Sequence, residues 1–123
     1  MLDIELSGLN RRETKKNVLK ALVKYRLYIS SICENDRKFI EDGCVVTEKK
    51  MERYLYIKEF EEAVENSLND IEKRIILEGY IKSTEHSWVK MLQILSLSKT
   101  SYYNLRNKAF YRLAYALGIE VED

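Results

Sequence analysis

The scarcity of helix-breaking residues is the feature that most constrains this chain. Its 123 residues include no proline and only four glycines, while 33% of them are charged. Proline and glycine interrupt helices, whereas Lys, Arg and Glu are good helix formers. An apolar share of 46% is enough for a modest core, and the length is that of one domain. The sequence therefore predicts an all-α fold, a helical bundle, in a single domain spanning residues 1–123.

Several classes of protein are not expected from this sequence. No run of about 18 apolar residues that could span a membrane occurs. The first ten residues include Asp3 and Glu5, where a signal peptide needs a basic start and an apolar stretch. Cys33, Cys44 and His86 are too few ligands for a closed structural zinc site. We expect a cytoplasmic protein with reduced thiols.

No sequence signature of catalysis is visible either. The chain has no glycine-rich phosphate loop, no nucleophile elbow and no close pair of carboxylates at a plausible site. We therefore expect that the protein is not an enzyme and that it uses no cofactor.

The net charge of +1 combines blocks of opposite sign. Residues 10–33 hold seven bases and one acid, residues 34–78 hold 13 acids and eight bases, and residues 98–118 hold four bases and no acid. The last five residues add three acids. This distribution fits two basic surfaces on an acidic body, and it equally fits ordinary solvated helix faces.

Apolar residues at helical spacing predict a long N-terminal helix within residues 10–33, from about Arg12 to Ile32. Its main apolar row consists of Val18, Ala21, Leu22, Tyr25, Ile29 and Ile32. A second row, beside three lysines at four-residue steps, consists of Leu19, Val23 and Leu27, and the lysines are Lys16, Lys20 and Lys24. A helix with two apolar rows usually packs against two elements. Another subunit, as in a homodimer, is one candidate for the second.

The middle of the chain is predicted as a loop followed by helices. Residues 34–47 are polar, include Gly43 and predict a loop, and residues 48–82 predict the middle helices. A phase shift in the apolar pattern near Tyr56 predicts a kink or two shorter pieces. Asn69 and Glu72 form a capping-box pattern that predicts the start of the next helix. Its predicted buried face consists of Ile71 and Ile75 and, less strictly, Leu68 and Ile76.

Residues 84–118 predict a helix-turn-helix. The candidate caps of its first helix are Ser83, Thr84 and Ser87, and the helix spans Trp88 to Leu95, with Trp88, Met91, Leu92 and Leu95 facing inward. Ser96, Leu97 and Ser98 form the turn, and Leu97 enters the core. Ser98 caps a last helix from Lys99 to about Leu117, which Gly118 ends. Its inward residues are Tyr102, Leu105, Ala109 and Leu113. A helix-turn-helix can project one helix into the major groove of DNA.

The outward face of the last helix carries hydrogen-bonding side chains and no carboxylate. At about 100° per residue, the side chains opposite the apolar row are Thr100, Asn104, Asn107, Lys108 and Tyr111, flanked by Tyr103. Arg106 projects near the buried edge, where it would reach a flanking phosphate. Asn can bond adenine, and Lys can bond guanine or phosphate. An ordinary polar solvent face is the alternative interpretation.

The predicted DNA-binding residues follow from this face. They are Lys99, Thr100, Tyr103, Asn104, Arg106, Asn107 and Lys108. Phosphate contacts are also predicted for a second set, which consists of Lys16, Lys20 and Lys24.

The C-terminal half resembles the sigma-factor region 4-like helix-turn-helix proteins in two segments, SLNDIEKRIILEGYI and WVKMLQILSLSKTSYYNLRNKAFYRLAYALG. The matching positions are Leu68, Glu72, Ile75, Ile76 or Leu77, Tyr80, Ser98, Lys108 and Ala109. A closer resemblance is to the phage ArpU-like regulators, relatives of the RinA-type late-gene activators. It rests on Ser-x-x-x-Tyr-Tyr-x-Leu-x-x-Lys-Ala at residues 98–109 and on Thr14, Lys15, Lys16, Leu22, Tyr25 and Arg26. The turn has Ser96 where these proteins usually have Gly.

This resemblance implies a sequence-specific transcription regulator of a phage or prophage, an activator of late genes for packaging or lysis. Its implied partners are double-stranded DNA and RNA polymerase. Two other functions remain open. One is a module that docks on RNA polymerase or another regulator without reading bases, for which Leu19, Val23 and Leu27 would matter more than the asparagines. The other is a terminase small subunit, which binds packaging sites and forms rings.

Overall fold

The computed structural model describes residues 8–82 and 88–123, and within these residues the side chains of all but Trp88 and Val89. The helices are α1 (Arg11–Ser31), α2 (Glu34–Glu41), α3 (Glu48–Ser67), α4 (Asp70–Ile76), α5 (Trp88–Leu95) and α6 (Lys99–Leu117). A π-helical turn, Leu77–Ile81, continues α4. The all-α prediction is therefore confirmed. No helix in this described part is both long and apolar enough to cross a membrane.

Some predictions fall outside the described residues. These are the candidate caps Ser83, Thr84 and Ser87, the residue His86 and the inward orientation of the Trp88 side chain.

Four helices form the main core. The apolar side chains of α1, α3, α4 and α6 meet in one cluster, and Val18, Ile57, Ile76 and Leu113 in it are fully buried. Each such side chain contributes about 1.5–3 kcal/mol when it leaves water. Tyr25 and Phe60 stack within the cluster with their ring centroids 4.3 Å apart. The main apolar row predicted on the first helix is thus the face that α1 buries.

The helix ends predicted from sequence follow local capping chemistry. The Asn69 side chain accepts a hydrogen bond from the Glu72 backbone, and the Glu72 carboxylate accepts one from the Asn69 backbone, both at 2.9 Å. Ser98 caps α6, and Gly118 ends it in the left-handed conformation at φ +69°. These bonds satisfy backbone groups that every helix terminus leaves unpaired.

Glu72 also joins α4 to α6. Its carboxylate is fully buried and accepts a hydrogen bond from Arg112 Nη1 at 2.6 Å. The same carboxylate oxygen therefore serves the capping box and the ion pair. Ile71, predicted on the buried face of α4, is instead 44% exposed. The helix α4 buries Ile75 and Ile76, and Ile71 lies outside the buried face that they form.

The segment predicted as a loop contains α2, so the prediction of a loop over residues 34–47 is wrong for residues 34–41. The backbone N–H of Cys33 donates to the Asp36 carboxylate at 3.1 Å and fixes the start of the helix. Ion pairs then hold α2 on α3, with Arg37 bonded to Glu61 at 3.0 Å and Lys50 to Asp36 at 3.0 Å. None of its residues is buried, so ion pairs, rather than a buried apolar face, hold α2 on α3.

The kink predicted near Tyr56 is absent, since α3 continues without interruption through that residue. Its buried side chains, among them Ile57 and Phe60, lie on one face. The apolar residues before the predicted shift are Met51, Tyr54 and Leu55, and of these Leu55 is 57% exposed whereas Tyr54 is buried. The change of phase therefore reflects a solvent-facing apolar residue and not a break in the helix.

The C-terminal tail returns to the start of α1. The Asn10 N–H donates to the Val121 carbonyl at 2.7 Å, and the buried Thr14 hydroxyl accepts from the Val121 N–H at 3.0 Å. Leu9 and Glu122 form an isolated antiparallel bridge. The two ends of the described chain are thereby fastened together beside α6.

Candidate nucleic-acid interface

A second, smaller cluster supports the first half of α6. Ile75 from α4, Met91 from α5 and Tyr102 from α6 are each at most 3% exposed and pack together. We call this cluster the satellite core. Its partly buried neighbours are Tyr80, Leu92, Leu95, Leu97, Tyr103 and Leu105. The predicted inward positions Met91 and Tyr102 are confirmed, and Leu97 packs against the cluster as the turn residue.

The turn between α5 and α6 is tight and strained at one residue. Ser96 has φ +54°, a left-handed conformation that glycine adopts without a steric cost. The Leu97 N–H donates to the Leu92 carbonyl at 3.0 Å and closes the end of α5. Ser98 then accepts from the Ser101 N–H at 3.1 Å and starts α6. Ser96 is thus a residue other than glycine in a backbone conformation that favours glycine.

The predicted DNA-binding residues lie on the first half of α6 at graded exposure. Lys99, Thr100 and Asn104 are exposed, whereas Asn107 and Lys108 are half-buried. The first turn of α6 contains no acid. A helix N-terminus has a partial positive charge, so this surface favours an anionic partner.

Arg106 is held against aromatic rings. Its guanidinium carbon lies 4.6 Å from the centroid of Tyr103 and 5.6 Å from that of Phe110. Its Nη2 donates to the side-chain amide oxygen (Oδ1) of Asn107 at 3.4 Å. Its buried Nε has no hydrogen-bond partner among the described residues. The ring of Tyr103 therefore positions Arg106, and Arg106 in turn orients the amide of Asn107.

Tyr111 corrects one sequence prediction. It was placed on the outward face of the last helix, but it is only 8% exposed. The reason is that α1 packs along α6 and covers this position. Burial raises the pKa of the Tyr111 phenol, and the positive charges of Arg11 and Arg106 oppose that rise.

The same packing brings two basic residues to the interface that the sequence analysis did not select. Arg11 and Lys15 lie in the first turns of α1, and Lys15 is close enough to Arg106 and Arg11 that both positive charges act on it. Partial burial lowers the pKa of Lys15, and the charges of Arg106 and Arg11 lower it further. Both residues belong to the basic block at residues 10–33. Arg11 and Lys15 are four residues apart and lie on the same helical face as Val18 and Leu22. This spacing in the sequence indicates that both residues lie on the side of α1 that packs against the other helices.

The other predicted phosphate contacts lie on a different face of α1. Lys16, Lys20 and Lys24 border the exposed apolar row of that helix. Lys16 is 3.9 Å from Glu13. The Lys24 ammonium lies 4.5 Å from the centroid of the Tyr56 ring on α3. The structure therefore separates these lysines from the residues gathered around Arg106.

Metal-ligating residues do not gather in the described part of the chain, where no group of three or more His, Cys, Asp or Glu could hold an ion. Comparison of the whole chain with protein-family models, with curated proteins and with solved structures gives no match.

Proposed function

We propose that this chain is a sequence-specific DNA-binding regulator of transcription whose α6 enters the major groove. The observation that carries this proposal is the first half of α6, which presents exposed amide, hydroxyl and basic side chains and no carboxylate. The satellite core and the Ser98 cap support this half of the helix from behind. A recognition helix needs both properties, a readable surface and a rigid support.

Base contacts are assigned to the exposed centre of this surface. Asn104 can form two hydrogen bonds with adenine, and Thr100 lies one turn before it on the same face. The amide of Asn107 accepts from Arg106, so its N–H groups are available to donate to an acceptor on a base. Lys108 and Lys99 supply positive charge at the edges of the surface.

Phosphate contacts are assigned to the basic residues that α1 and α6 bring together. Arg106 and Arg11 repel the Lys15 ammonium, and a phosphate bound beside these residues would reduce this repulsion. Glu122 and Asp123, which the tail fastens beside residues 8 and 9, oppose part of that attraction. Lys16, Lys20 and Lys24 remain a second proposed set, and alanine substitution of Lys16 and Lys20 tests them in the same binding assays.

The biological setting is a proposal from the sequence resemblance. The element at residues 98–109 favours a phage or prophage late-gene regulator of the ArpU-like kind. One module of this size contacts few base pairs, so a second subunit or RNA polymerase would have to supply further specificity.

The test is a selection of genomic DNA fragments on the purified full chain, followed by sequencing. We expect enrichment of one promoter-proximal site by the wild type and loss of this enrichment in Asn104→Ala/Asn107→Ala. The matched control is Asn35→Ala/Asn66→Ala, which removes two amides at exposed positions of α2 and α3. This control should recover the same site as the wild type.

Three outcomes would overturn the proposal. Salt-sensitive retention of all fragments without enrichment would mean that only the backbone is bound. Absence of retention would favour a module that docks on RNA polymerase or another regulator without reading bases. Enrichment of a DNA packaging site in place of a promoter-proximal site, by a ring of eight or more subunits, would instead favour a packaging protein of the terminase small-subunit kind.

A further inference from the structure

One exposed apolar surface runs along α1. Leu19, Val23 and Leu27 are 44%, 53% and 63% exposed. Lys16, Lys20 and Lys24 border this row, and we call the whole surface the basic stripe. Residues 16–27 contain no acid. The basic stripe thus combines exposed apolar area with one sign of charge.

A second exposed apolar surface lies where the loop after α2 meets α3. Val45 is fully exposed and Leu55 is 57% exposed. Together with Met51 they line a shallow concave surface that Glu48 and Glu52 border, and we call it the acidic groove. Its charge is therefore opposite to that of the basic stripe.

We propose that the basic stripe of one copy of this chain docks in the acidic groove of a second copy. The apolar rows would cover one another, and the lysines would face the glutamates across the rim. Complementary charge steers association and fixes register, while buried apolar area supplies the free energy. This proposal goes beyond the proposed function and does not depend on DNA.

The dimensions of the two surfaces are compatible. The stripe from Lys16 to Leu27 is about 16 Å long at 1.5 Å per helical residue. The groove extends over about 10 Å of α3, from Glu48 to Leu55, and is lengthened by the residues of the preceding loop. An apolar row on one helix can therefore lie along the other.

Pairing of identical surfaces is electrostatically unfavourable. Two basic stripes brought together would gather Lys20 and Lys24 from both copies, since Lys16 already lies 3.9 Å from Glu13. Two acidic grooves would gather Glu48 and Glu52 from both copies, since Lys50 is already paired with Asp36 at 3.0 Å. Like charges placed across an interface destabilise it. Charge thus favours the unlike pair over either symmetric dimer.

When two copies form only one such contact, rather than exchanging both contacts about a two-fold axis, each copy keeps one surface unused. Such a heterologous contact continues to further copies, as a closed ring or as an open chain. The prediction is therefore concentration-dependent growth beyond a dimer, which a symmetric dimer does not show.

The test is sedimentation velocity of the full chain without DNA and with a thiol reductant, between about 1 and about 500 μM, the range expected for small interfaces. We expect the wild-type mass to rise above the 14.6 kDa of one chain. A stripe variant, Leu19→Gln/Val23→Gln, and a groove variant, Val45→Gln/Leu55→Gln, should each stay monomeric. In an equal mixture, the intact stripe of the groove variant should bind the intact groove of the stripe variant, giving a capped 1:1 dimer.

Phe39→Gln serves as the matched control, because Phe39 is 53% exposed but lies on α2 outside both surfaces. It should associate like the wild type. Circular dichroism confirms that every variant is folded. A wild type that stays monomeric throughout would overturn the proposal, and so would a groove variant that still self-associates, since that would indicate stripe-to-stripe pairing. A wild type that self-associates as expected but does not bind DNA would contradict the proposed function and leave this proposal standing.

Discussion

The two halves of α6 have different surroundings. In the second half, Ala109, Phe110, Leu113 and Ala114 are each at most 2% exposed, within the main core. In the first half, Tyr102 is the buried residue, and it packs in the much smaller satellite core. One continuous helix therefore connects a well-buried body to an exposed polar surface.

This difference separates the residues that hold the helix in place from those that are exposed. Under the proposed function, residues of the first half can present polar groups to DNA because the second half supplies the burial that holds the helix in place. Regions with few buried apolar contacts open locally at lower free energy than the whole fold. We therefore expect substitutions in the main core to affect the entire chain, and substitutions in the satellite core to affect mainly α5, the turn and the start of α6.

The largest expected effect comes from truncating one residue in each core. Phe110→Ala should lower the free energy of unfolding by about 3–5 kcal/mol, because it leaves a cavity in the main core. Met91→Ala should lower hydrogen-exchange protection mainly in α5 and the start of α6. Urea unfolding followed by circular dichroism, together with amide hydrogen exchange, measures both. Equal loss of protection across the whole chain in both variants would contradict the division into two cores.

The next effect concerns the ion pair that joins α4 to α6. Glu72→Ala removes a fully buried carboxylate together with its bonds to Arg112 and to the helix cap. Loss of one partner from a buried pair costs about 3–5 kcal/mol, and the lower end is expected because Arg112 is partly accessible. The matched control is Glu65→Ala, since Glu65 is 74% exposed in its pair with Lys73.

This control should change the free energy of unfolding by less than about 1 kcal/mol, as surface pairs do. Similar losses for both glutamates in urea unfolding would contradict the role of Glu72 as a buried link between α4 and α6.

Alkaline pH should weaken both cores through their tyrosines. Burial, with smaller contributions from neighbouring groups, raises the pKa of Tyr56 to about 12 and the pKa of Tyr102 to about 12. The unfolded phenol has a pKa of about 10. The folded state thus favours the protonated phenol, and this stability is present below about pH 10 and is lost between about pH 10 and about pH 12.

Urea unfolding at pH 8 to 11 tests this expectation. Tyr56→Phe loses a hydrogen bond to the Ala21 carbonyl, so it should be less stable at neutral pH by about 1 kcal/mol. The free energy of unfolding of Tyr56→Phe should also decline less steeply with rising pH than that of the wild type, and the same is expected of Tyr102→Phe. If the free energy of unfolding falls with pH as steeply in both variants as in the wild type, these two phenols do not cause the alkaline loss of stability.

The smallest expected effect concerns the strained turn. Ser96→Gly should raise the free energy of unfolding by at most about 1 kcal/mol, because the relief of the left-handed strain is partly offset by the greater freedom of glycine in the unfolded chain. Ser96→Val should lower it, because a β-branched residue fits this conformation poorly. Thermal unfolding of the two variants measures the difference, and the opposite order would contradict the assigned φ.

Local chemistry explains what could be predicted from sequence. The caps Asn69, Ser98 and Gly118 act within a few residues of themselves, so their patterns identify helix ends directly. The apolar row from Val18 to Ile32 likewise identifies the buried face of α1, because its residues recur at the helical period within a single helix.

The features that could not be predicted from sequence depend on tertiary packing. The α2 helix is held by Arg37 and Lys50 ion pairs with residues distant in sequence, and these leave no periodic pattern. Tyr111 was assigned to solvent because its cover comes from α1, nearly 100 residues earlier in the chain. The same packing places Arg11 and Lys15 beside the candidate interface, so the burial of Tyr111 and the position of these two basic residues have one cause.

The most direct test of the account is the salt dependence of DNA binding by fluorescence anisotropy, on a duplex recovered in the genomic selection. Each phosphate contact contributes about 0.9 to the slope of log affinity against log salt. We predict that Arg11→Ala/Lys15→Ala reduces the magnitude of this slope by about 2, whereas Lys38→Ala/Lys49→Ala, at exposed positions of the acidic body, leaves it unchanged. Absence of binding by the wild type, or equal slopes for all three proteins, would contradict an interface built from the starts of α1 and α6.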